Sequence, residues 1–494
     1  MLEPMRERLE RTHLVGVRRG VGVPARTVAV VGGGYCGTLT VVQLLRAAQG
    51  PLRILWYDQH GRFARGLAYS TPSFRHLLNV PAASMSALVE EPEHFLHWLR
   101  RRQPGAHGLS FAPRALYGRY LEELLEDTTH QAQLKHGGAV SVVRIQDEVV
   151  RLYARDPQRG VLLTGRDTPV MRADMCVLAT GNAPAADPRG ISRGVAQAPG
   201  YHGNPWHAAG WSQVEKEDDV LIIGTGLTAI DLILSLQELG HRGQIVALSR
   251  RGSWPEAHRP GLQVPEFDPE AFRARLPVRL TDVIQEVRET AQQVRSVQPD
   301  GWRLVVDALR PRLSSLWQGW DEHEQRQFLR HVRPHWEVVR HRMAPEIETQ
   351  LQGLERLGQV RRVAGRLLAS TAVPGGIALT YQLRRAQAVG GVSVKHVFNC
   401  TGLGMRLSEQ RTSLVQQLLT QGLVTEDVHG LGARCDAQGA LIDADGRISE
   451  VLFTVGGWRR AQRWESTAVP ELRAQTYQLA RVLLTRLATQ QVSA

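Results

Sequence analysis

Cysteine is scarce in this chain, and no two cysteines form a C-x-x-C pair. Cys36, Cys176, Cys400 and Cys435 are the four in 494 residues. That excludes a disulfide framework, a cysteine zinc site and a dithiol–disulfide reductase, and it suits a reducing cytoplasm. Long apolar runs are missing as well. None reaches the roughly 18 residues of a membrane span, so no transmembrane helix is expected. The N-terminal stretch MLEPMRERLERTHLVGVRRG is arginine-rich but lacks the apolar segment of about 7–15 residues found in a secretory signal. Residues 1–24 are therefore expected to form a flexible tail. No long block of one charge occurs either. The net charge of +12 comes from 60 Lys and Arg against 48 Asp and Glu, spread along the chain. A nucleic-acid partner is not expected; anionic ligands account for the excess. No catalytic triad and no metal-ligand cluster is visible, so no metal is expected, and any chemistry must come largely from a bound cofactor.

Two glycine loops are present. The β-branched run Thr27–Val31 leads into Gly32-Gly33-Gly34-Tyr35-Cys36-Gly37, then into the helical stretch TLTVVQLLRAA and a second strand, LRILWYD, ending in Asp58. Strand, G-x-G-x-x-G, helix, strand and acid make a dinucleotide-binding unit. Gly32 permits the tight turn, Gly34 lets backbone approach a pyrophosphate, and Gly37 allows close helix–strand packing. The helix N-terminus offers free N–H groups to the phosphates. Asp58, 24 residues beyond Gly34, would accept a ribose hydroxyl. Cys36 lies inside this loop, where packing suits it better than redox work.

The pattern recurs at Val220–Ile223 and Gly224-Thr225-Gly226-Leu227-Thr228-Ala229, followed by the helix LTAIDLILSLQEL and the strand QIVALS. Here Ser249-Arg250-Arg251 replaces the acid. A carboxylate would repel the 2′-phosphate of NADP, whereas an arginine pair with a serine would bind it, so NADPH is favoured over NADH. The competing reading is that Arg250 and Arg251 are solvated surface.

The segment MCVLATGNAP, Met175–Pro184, with Thr180 and Gly181, resembles the Ala-Thr-Gly crossing motif of flavoproteins that bind two dinucleotides. A second copy, HVFNCTGLG (His396–Gly404), carries Thr401 and Gly402. The resemblance implies FAD on the N-terminal loop and NADPH on the inserted one. Between them, YHGNPWHAAGW (Tyr201–Trp211) is similar to the F-x-G-x-x-x-H-x-x-x-W fingerprint of class B flavin monooxygenases. Tyr201 replaces the Phe, and Gly203, His207 and Trp211 fall in register. Four further segments are GLAYSTPSFRHLLNVPAASMS (Gly66–Ser86), PEAHRPG (Pro255–Gly261), RHVRPHWEVVRHRMAPE (Arg330–Glu346) and WESTAVPELRAQ (Trp464–Gln475). They resemble a bacterial family of FAD/NAD(P)-binding flavoproteins that includes urate-hydroxylase-type and aspartate N-monooxygenase-type enzymes. One departure stands out. Many flavoproteins carry Gly-Asp near the end, the Asp holding the ribityl chain; Phe453-Thr454-Val455-Gly456-Gly457-Trp458 has none.

The expected fold is α/β, with two Rossmann-like dinucleotide-binding domains. An FAD domain (25–215 and 406–490) is interrupted by an NADPH domain (216–405). A helical insert at about 265–360 is expected from the apolar spacing of RLTDVIQEVRETAQQV and HEQRQFLRHV. The expected function is that of an FAD- and NADPH-dependent monooxygenase hydroxylating a small molecule with O2 through a C4a-hydroperoxyflavin. An NAD(P)H–flavin reductase or dehydrogenase serving an electron carrier and a non-catalytic flavin-binding redox sensor are the alternatives. Asn79 is the first candidate beside the flavin, since an amide both donates and accepts; Arg75 and His76 come next, and His207 serves the linker. Thr467 is expected to cap the last helix, whose N–H groups would face the flavin. Arg340-His341-Arg342 and His258-Arg259 are candidates for an acidic substrate or the NADPH phosphates, or for domain-interface pairing. The substrate and the oligomeric state stay open.

Overall fold

The computed structural model describes residues 25–154, 160–386 and 388–492. The expected N-terminal tail lies outside them. The first β-branched run forms β1 (Arg26–Val31), whose last four residues are buried, as in a central parallel strand covered on both faces. It sits between β2 (Leu52–Tyr57) and β7 (Met175–Leu178), both parallel to it. With β3 (Val140–Ile145), β18 (Ile448–Thr454) and the antiparallel edge β17 (Ala440–Ile442) they form one sheet in the order β17-β18-β7-β1-β2-β3. A small antiparallel sheet of β4 (Val149–Tyr153), β5 (Val161–Gly165) and β6 (Met171–Ala173) lies in the crossover from β3 to β7.

The second sheet is built from chain that falls between β7 and β18. It contains β9 (Tyr201–His202), β10 (Val220–Ile223), β11 (Ile245–Ser249), β12 (Val360–Val373), β13 (Gly376–Leu383), β14 (Val389–Val394) and β15 (His396–Asn399). Their order is β14-β13-β12-β11-β10-β15-β9. β9, β15, β10, β11 and the first part of β12 pair parallel, while the rest of β12 with β13 and β14 extends the sheet antiparallel. The fold is therefore α/β, with two Rossmann-like parallel sheets, one interrupting the other. Two short strands, β8 (Ala183–Pro184) and β16 (Leu403–Gly404), pair antiparallel and tie together the chain leaving the first sheet and the chain returning to it.

Between β11 and β12 run the helices Pro269–Arg275, Leu280–Val297, Trp302–Gly319, Glu322–Gln327, Arg333–Arg340 and Pro345–Arg356, with a π-helical turn at Phe328–Val332. Trp302, Trp317, Trp320, Phe328 and Trp336 form their core, joined by Leu431 and Trp464 from the C-terminal part of the chain. This helical layer therefore packs on the first unit as well as its own. The helix after the first loop, Tyr35–Ala47, shares a second core with the last helix, Val469–Val492, through Leu39, Leu44, Leu479 and Leu483. Each such leucine contributes about 1.5–3 kcal/mol on burial.

Candidate functional site

Both glycine loops sit where a parallel strand hands over to a helix, at the carboxyl edge of its sheet, the usual ligand edge of such folds. Gly32 has φ +120°, and a Cβ there would lie 2.2 Å from the Ala179 carbonyl oxygen. Gly224 repeats this with φ +120° and a Cβ 2.1 Å from the Cys400 oxygen. The two crossing motifs are thus the neighbours that make the first glycines obligatory. Gly37 packs against Gly32, where a Cβ would meet the carbonyl oxygen at 1.9 Å. By contrast, a Cβ on Gly34 meets nothing nearer than Gly66 Cα at 3.9 Å, and one on Gly226 meets nothing within 4 Å. The second glycine of each loop borders open space, as a pyrophosphate cradle requires. Leu227, Thr228 and Ala229 open the second loop's helix; Leu227 and Thr228 offer backbone N–H groups, while the Ala229 N–H donates to the Gly226 carbonyl at 3.0 Å and its side chain is buried.

Asp58 ends β2 and turns onto the first loop. Its Oδ2 accepts from Gly33 N at 2.9 Å, and its Oδ1 accepts from His60 N and Arg62 N at 2.9 Å. A carboxylate takes about four hydrogen bonds, so room for one ribose hydroxyl remains. Tyr35 opens the helix after the first loop. Its ring is buried between Tyr69 and Tyr117, so the residue offers its backbone N–H and not its side chain. The Cys36 thiol is pushed up to about 12 by burial, which suits packing and not thiolate chemistry.

A third segment converges on the first loop. Gly456 has φ +86°, and a Cβ there would lie 2.8 Å from Cys36 Sγ; a Cβ on Gly457 would lie 2.1 Å from Asn182 Oδ1. The Val455–Trp458 turn therefore fits between the first loop and the crossing motif only because it carries two glycines. Ser466 Oγ donates to the Gly456 carbonyl at 2.7 Å, and Gln475 lies behind it. Asn182 stands against this turn, and sequence reasoning had passed over it; its place directly after Thr180-Gly181 was the available signal. Thr180 and Gly181 are exposed, as are Thr401 and Gly402, and both glycines have positive φ, +74° and +121°. Thr467 does not cap the last helix. The helix begins at Val469, the Ala468 carbonyl accepts the first turn's bond from Leu472 N, and Thr467 is exposed one residue outside.

The second loop's β11 ends at Ser249. The Thr225 hydroxyl lies 2.7 Å from the Ser253 carbonyl and 2.9 Å from Ser249 Oγ. Ser249 Oγ also accepts from Gly252 N at 2.9 Å, so its hydroxyl braces the turn that carries Arg250 and Arg251. Arg250 lines a cavity of about 370 Å³ together with Arg366, Arg384 and Arg385. The last three come from β12 and the hairpin turn, and the sequence reading missed them.

The segment His76–Val80 is clamped between the two units. His76 is fully buried; its Nε2 lies 3.0 Å from the Asp231 carbonyl and 2.9 Å from Ser235 Oγ, both on the helix Leu227–Glu238. It is an interface residue, not a group facing a cofactor. Arg114 pairs with Asp231 at 2.6 Å and donates to the Leu77 carbonyl at 3.2 Å. The Asn79 carbonyl lies 3.1 Å from His258 Nε2, while its side-chain amide has no partner among the described residues. Arg75 is exposed and distinct from this clamp. Trp211 of the linker meets His76 edge-on at 6.4 Å, so the fingerprint and the His76–Val80 segment come together. His207 is exposed on the linker between them.

The cationic candidates are largely engaged by protein. Arg342 donates to Asp307 at 2.9 Å and to the Val339 and Arg303 carbonyls. Arg259 pairs with Glu348 at 2.9 Å. Buried Arg340 donates to Glu465 at 3.0 Å, on which Trp336 also donates at 3.1 Å, while Arg340 Nη2 keeps no partner among the described residues. His341 is held down at about 4 by burial and by Arg340. Among the described residues no group of three or more His, Cys, Asp or Glu is placed to hold a metal ion, and no helix is long and apolar enough to cross a membrane.

Residues 29–183 match the model of a family described as FAD-NAD(P)-binding. No curated protein matches the chain. Among solved structures, the ornithine hydroxylase of Pseudomonas aeruginosa is similar over 94% of this chain and 100% of its own, at 14% identity and TM-score 0.63. The ornithine N-hydroxylase of Kutzneria sp. 744, solved with reduced FAD, NADP+ and L-ornithine, covers 94% and 100% at 15% identity and TM-score 0.61. L-lysine 6-monooxygenase of Pseudomonas syringae covers 94% and 99% at 12% identity and TM-score 0.60. Nearly the whole chain thus shares its fold with these structures, and residues 29–183 also match the FAD-NAD(P)-binding model.

Proposed function

We propose that this chain is an FAD- and NADPH-dependent monooxygenase that hydroxylates a small, nitrogen-containing substrate with O2. The observation that carries it is the repetition of one cradle, obligatory glycine, open glycine and crossing motif, on two sheets joined at β8 and β16. Two cradles on one chain suit two dinucleotides. The fold shared with ornithine and lysine hydroxylases supports the monooxygenase reading over a reductase, as does the fingerprint Tyr201–Trp211.

In this reading the first unit, residues 25–215 and 406–490, takes FAD. Gly32, Gly34 and Gly37 shape its loop, Tyr35 and Cys36 supply helix N–H groups, Asp58 holds the adenosine ribose, and Thr180, Gly181 and Gly457 lie along the cofactor. The second unit, residues 216–405, takes NADPH at Gly224, Gly226 and Leu227–Ala229, with Arg250 and Arg251 toward the 2′-phosphate. Bound flavin would supply hydride acceptance and oxygen activation. Asn79 presents an unengaged amide from a backbone pinned by His258, so its place is set while its donor and acceptor stay available. The interface clamp of His76, Arg114 and Asp231 keeps the units in register and water out of the seam.

The test is simultaneous measurement of NADPH oxidation, O2 uptake, H2O2 release and product formation on the FAD-loaded protein, over a panel of small amines and amino acids. A hydroxylated product formed in step with NADPH consumption supports the proposal. NADPH oxidation that reduces an added carrier without O2 uptake would assign a reductase. Absence of both NADPH oxidation and O2 uptake with FAD bound would sink the enzymatic reading.

A further inference from the structure

The cavity beside β11 is lined by arginines from three parts of the second unit. Arg250 follows β11, Arg366 lies on β12, and Arg384 and Arg385 lie on the turn from β13 toward β14; Gly365 and Gln382 complete the wall. Four guanidiniums face about 370 Å³, no carboxylate lines it, and none of the four has an ion-pair partner among the described residues. Several other arginines in this unit pair with acids: Arg242 with Glu217, Arg259 with Glu348, and Arg362, a β12 neighbour, with Glu355. Like charges gathered without a counter-ion repel, and their approach makes sense when an anion completes the set. Arg251 bears the mark of this crowding: burial, and then Arg384 and Arg250, hold it below the usual guanidinium range.

The position identifies the anion. Ser249 pairs with Ala364 across β11 and β12, and the Arg384 N–H is tied to the Ala364 carbonyl at 2.9 Å, so the hairpin turn is anchored beside the end of β11. In this fold the adenosine ribose of a dinucleotide lies just past that strand end. The Ser249 hydroxyl at that strand end is engaged with Thr225 and with Gly252 N. We infer that Arg384 and Arg385, together with Arg366, close over the 2′-phosphate from the side opposite Arg250. The β13–β14 hairpin would then be the element that makes the site read NADPH and refuse NADH. This rests on the NADPH reading of the second loop and adds to it residues about 135 positions downstream of that loop's own arginines, on an antiparallel extension the parallel unit does not itself need.

The test uses the FAD-loaded full chain and calorimetric titration with 2′,5′-ADP and with 5′-AMP, alongside KM for NADPH and NADH. The arms are the native chain, Arg250→Gln, Arg384→Gln/Arg385→Gln, and Arg361→Gln as a charge control outside the cavity. The arginines replaced are exposed, so melting temperatures should stay level and confirm intact folding. Expected is a loss of about tenfold or more in 2′,5′-ADP affinity and a matching rise in KM for NADPH in the hairpin variant. Binding of 5′-AMP and KM for NADH should not change, and Arg361→Gln should behave as the native chain. If the native chain prefers 2′,5′-ADP and Arg250→Gln abolishes the preference while the hairpin variant keeps it, the hairpin is not the reader. If the native chain shows no preference for the 2′-phosphate, the NADPH reading itself falls, and the inference with it.

Discussion

Glycines of one loop do two different jobs, and single methyl groups separate them. Gly37→Ala drives a Cβ to within 1.9 Å of the Gly32 carbonyl oxygen, a backbone atom that cannot move aside cheaply. Overpacking of this kind costs roughly 1–3 kcal/mol, so this variant should melt lower even without cofactor. Gly34→Ala meets no protein atom nearer than 3.9 Å. It should fold with an unchanged apo melting temperature yet bind FAD about tenfold more weakly, a change of about 1.4 kcal/mol, read by fluorescence titration. Equal effects in both variants would remove the distinction between packing and cradle. A second residue-scale prediction concerns His258, pushed from 6.5 to about 4 mainly by burial. The folded state resists its protonation, so the unfolded chain binds the proton more readily between these values. Stability should therefore fall as pH drops from about 6.5 toward 4, by up to about 1.4 kcal/mol per pH unit for this group. His258→Gln should flatten that part of a urea-denaturation pH profile, and a profile as steep as the native one would refute the assignment.

Among elements, the helical layer is fastened to the turn before the last helix by a buried ion pair. Arg340 and Glu465 lie 3.0 Å apart with side chains 8% and 5% exposed, Trp336 donates to Glu465, and Arg310 stands 4.0 Å from it. Removing Arg340 leaves the buried carboxylate only the more distant Arg310, so Arg340→Met should cost up to about 3–5 kcal/mol. The double replacement Arg340→Met/Glu465→Leu should recover most of that loss, because a buried pair adds little over apolar packing. Chemical denaturation of the three variants measures the coupling, and additive losses would contradict it. The helical periodicity of Leu280–Val297 was legible because it is local. The destination of Arg340 was not, since Glu465 lies 125 positions away and neither residue betrays its partner.

For the molecule as a whole, the relation between the two units decides how reducing equivalents would be used. His207 is exposed on the linker that pairs through β9 with the second sheet and touches His76 through Trp211. His207→Ala should leave the melting temperature within about 1 °C, consistent with the small effect of surface changes. It should lower product formed per NADPH consumed, with H2O2 making up the difference. An unchanged ratio would remove the linker from the coupling. His76 shows what the chain order hides. As a histidine next to an arginine and near Asn79 it reads as site chemistry, yet it is buried against a helix 155 positions on, where its partners are a carbonyl and a hydroxyl.

The sequence alone determined the two cradles, because strand, glycine loop and helix are contiguous and each glycine answers a local steric demand. It also determined the asymmetry between Asp58 and Ser249-Arg250-Arg251, since charge at a strand end is a local property. Tertiary structure decided which polar groups are still available. It turned the Ser249 hydroxyl inward to Thr225, buried His76 between the units, left Asn79 with an unengaged amide, and carried Arg384 and Arg385 to the end of β11. Those outcomes depend on pairing between residues far apart in the chain, where one hydrogen-bonding partner or one neighbouring charge reverses what a side chain can do.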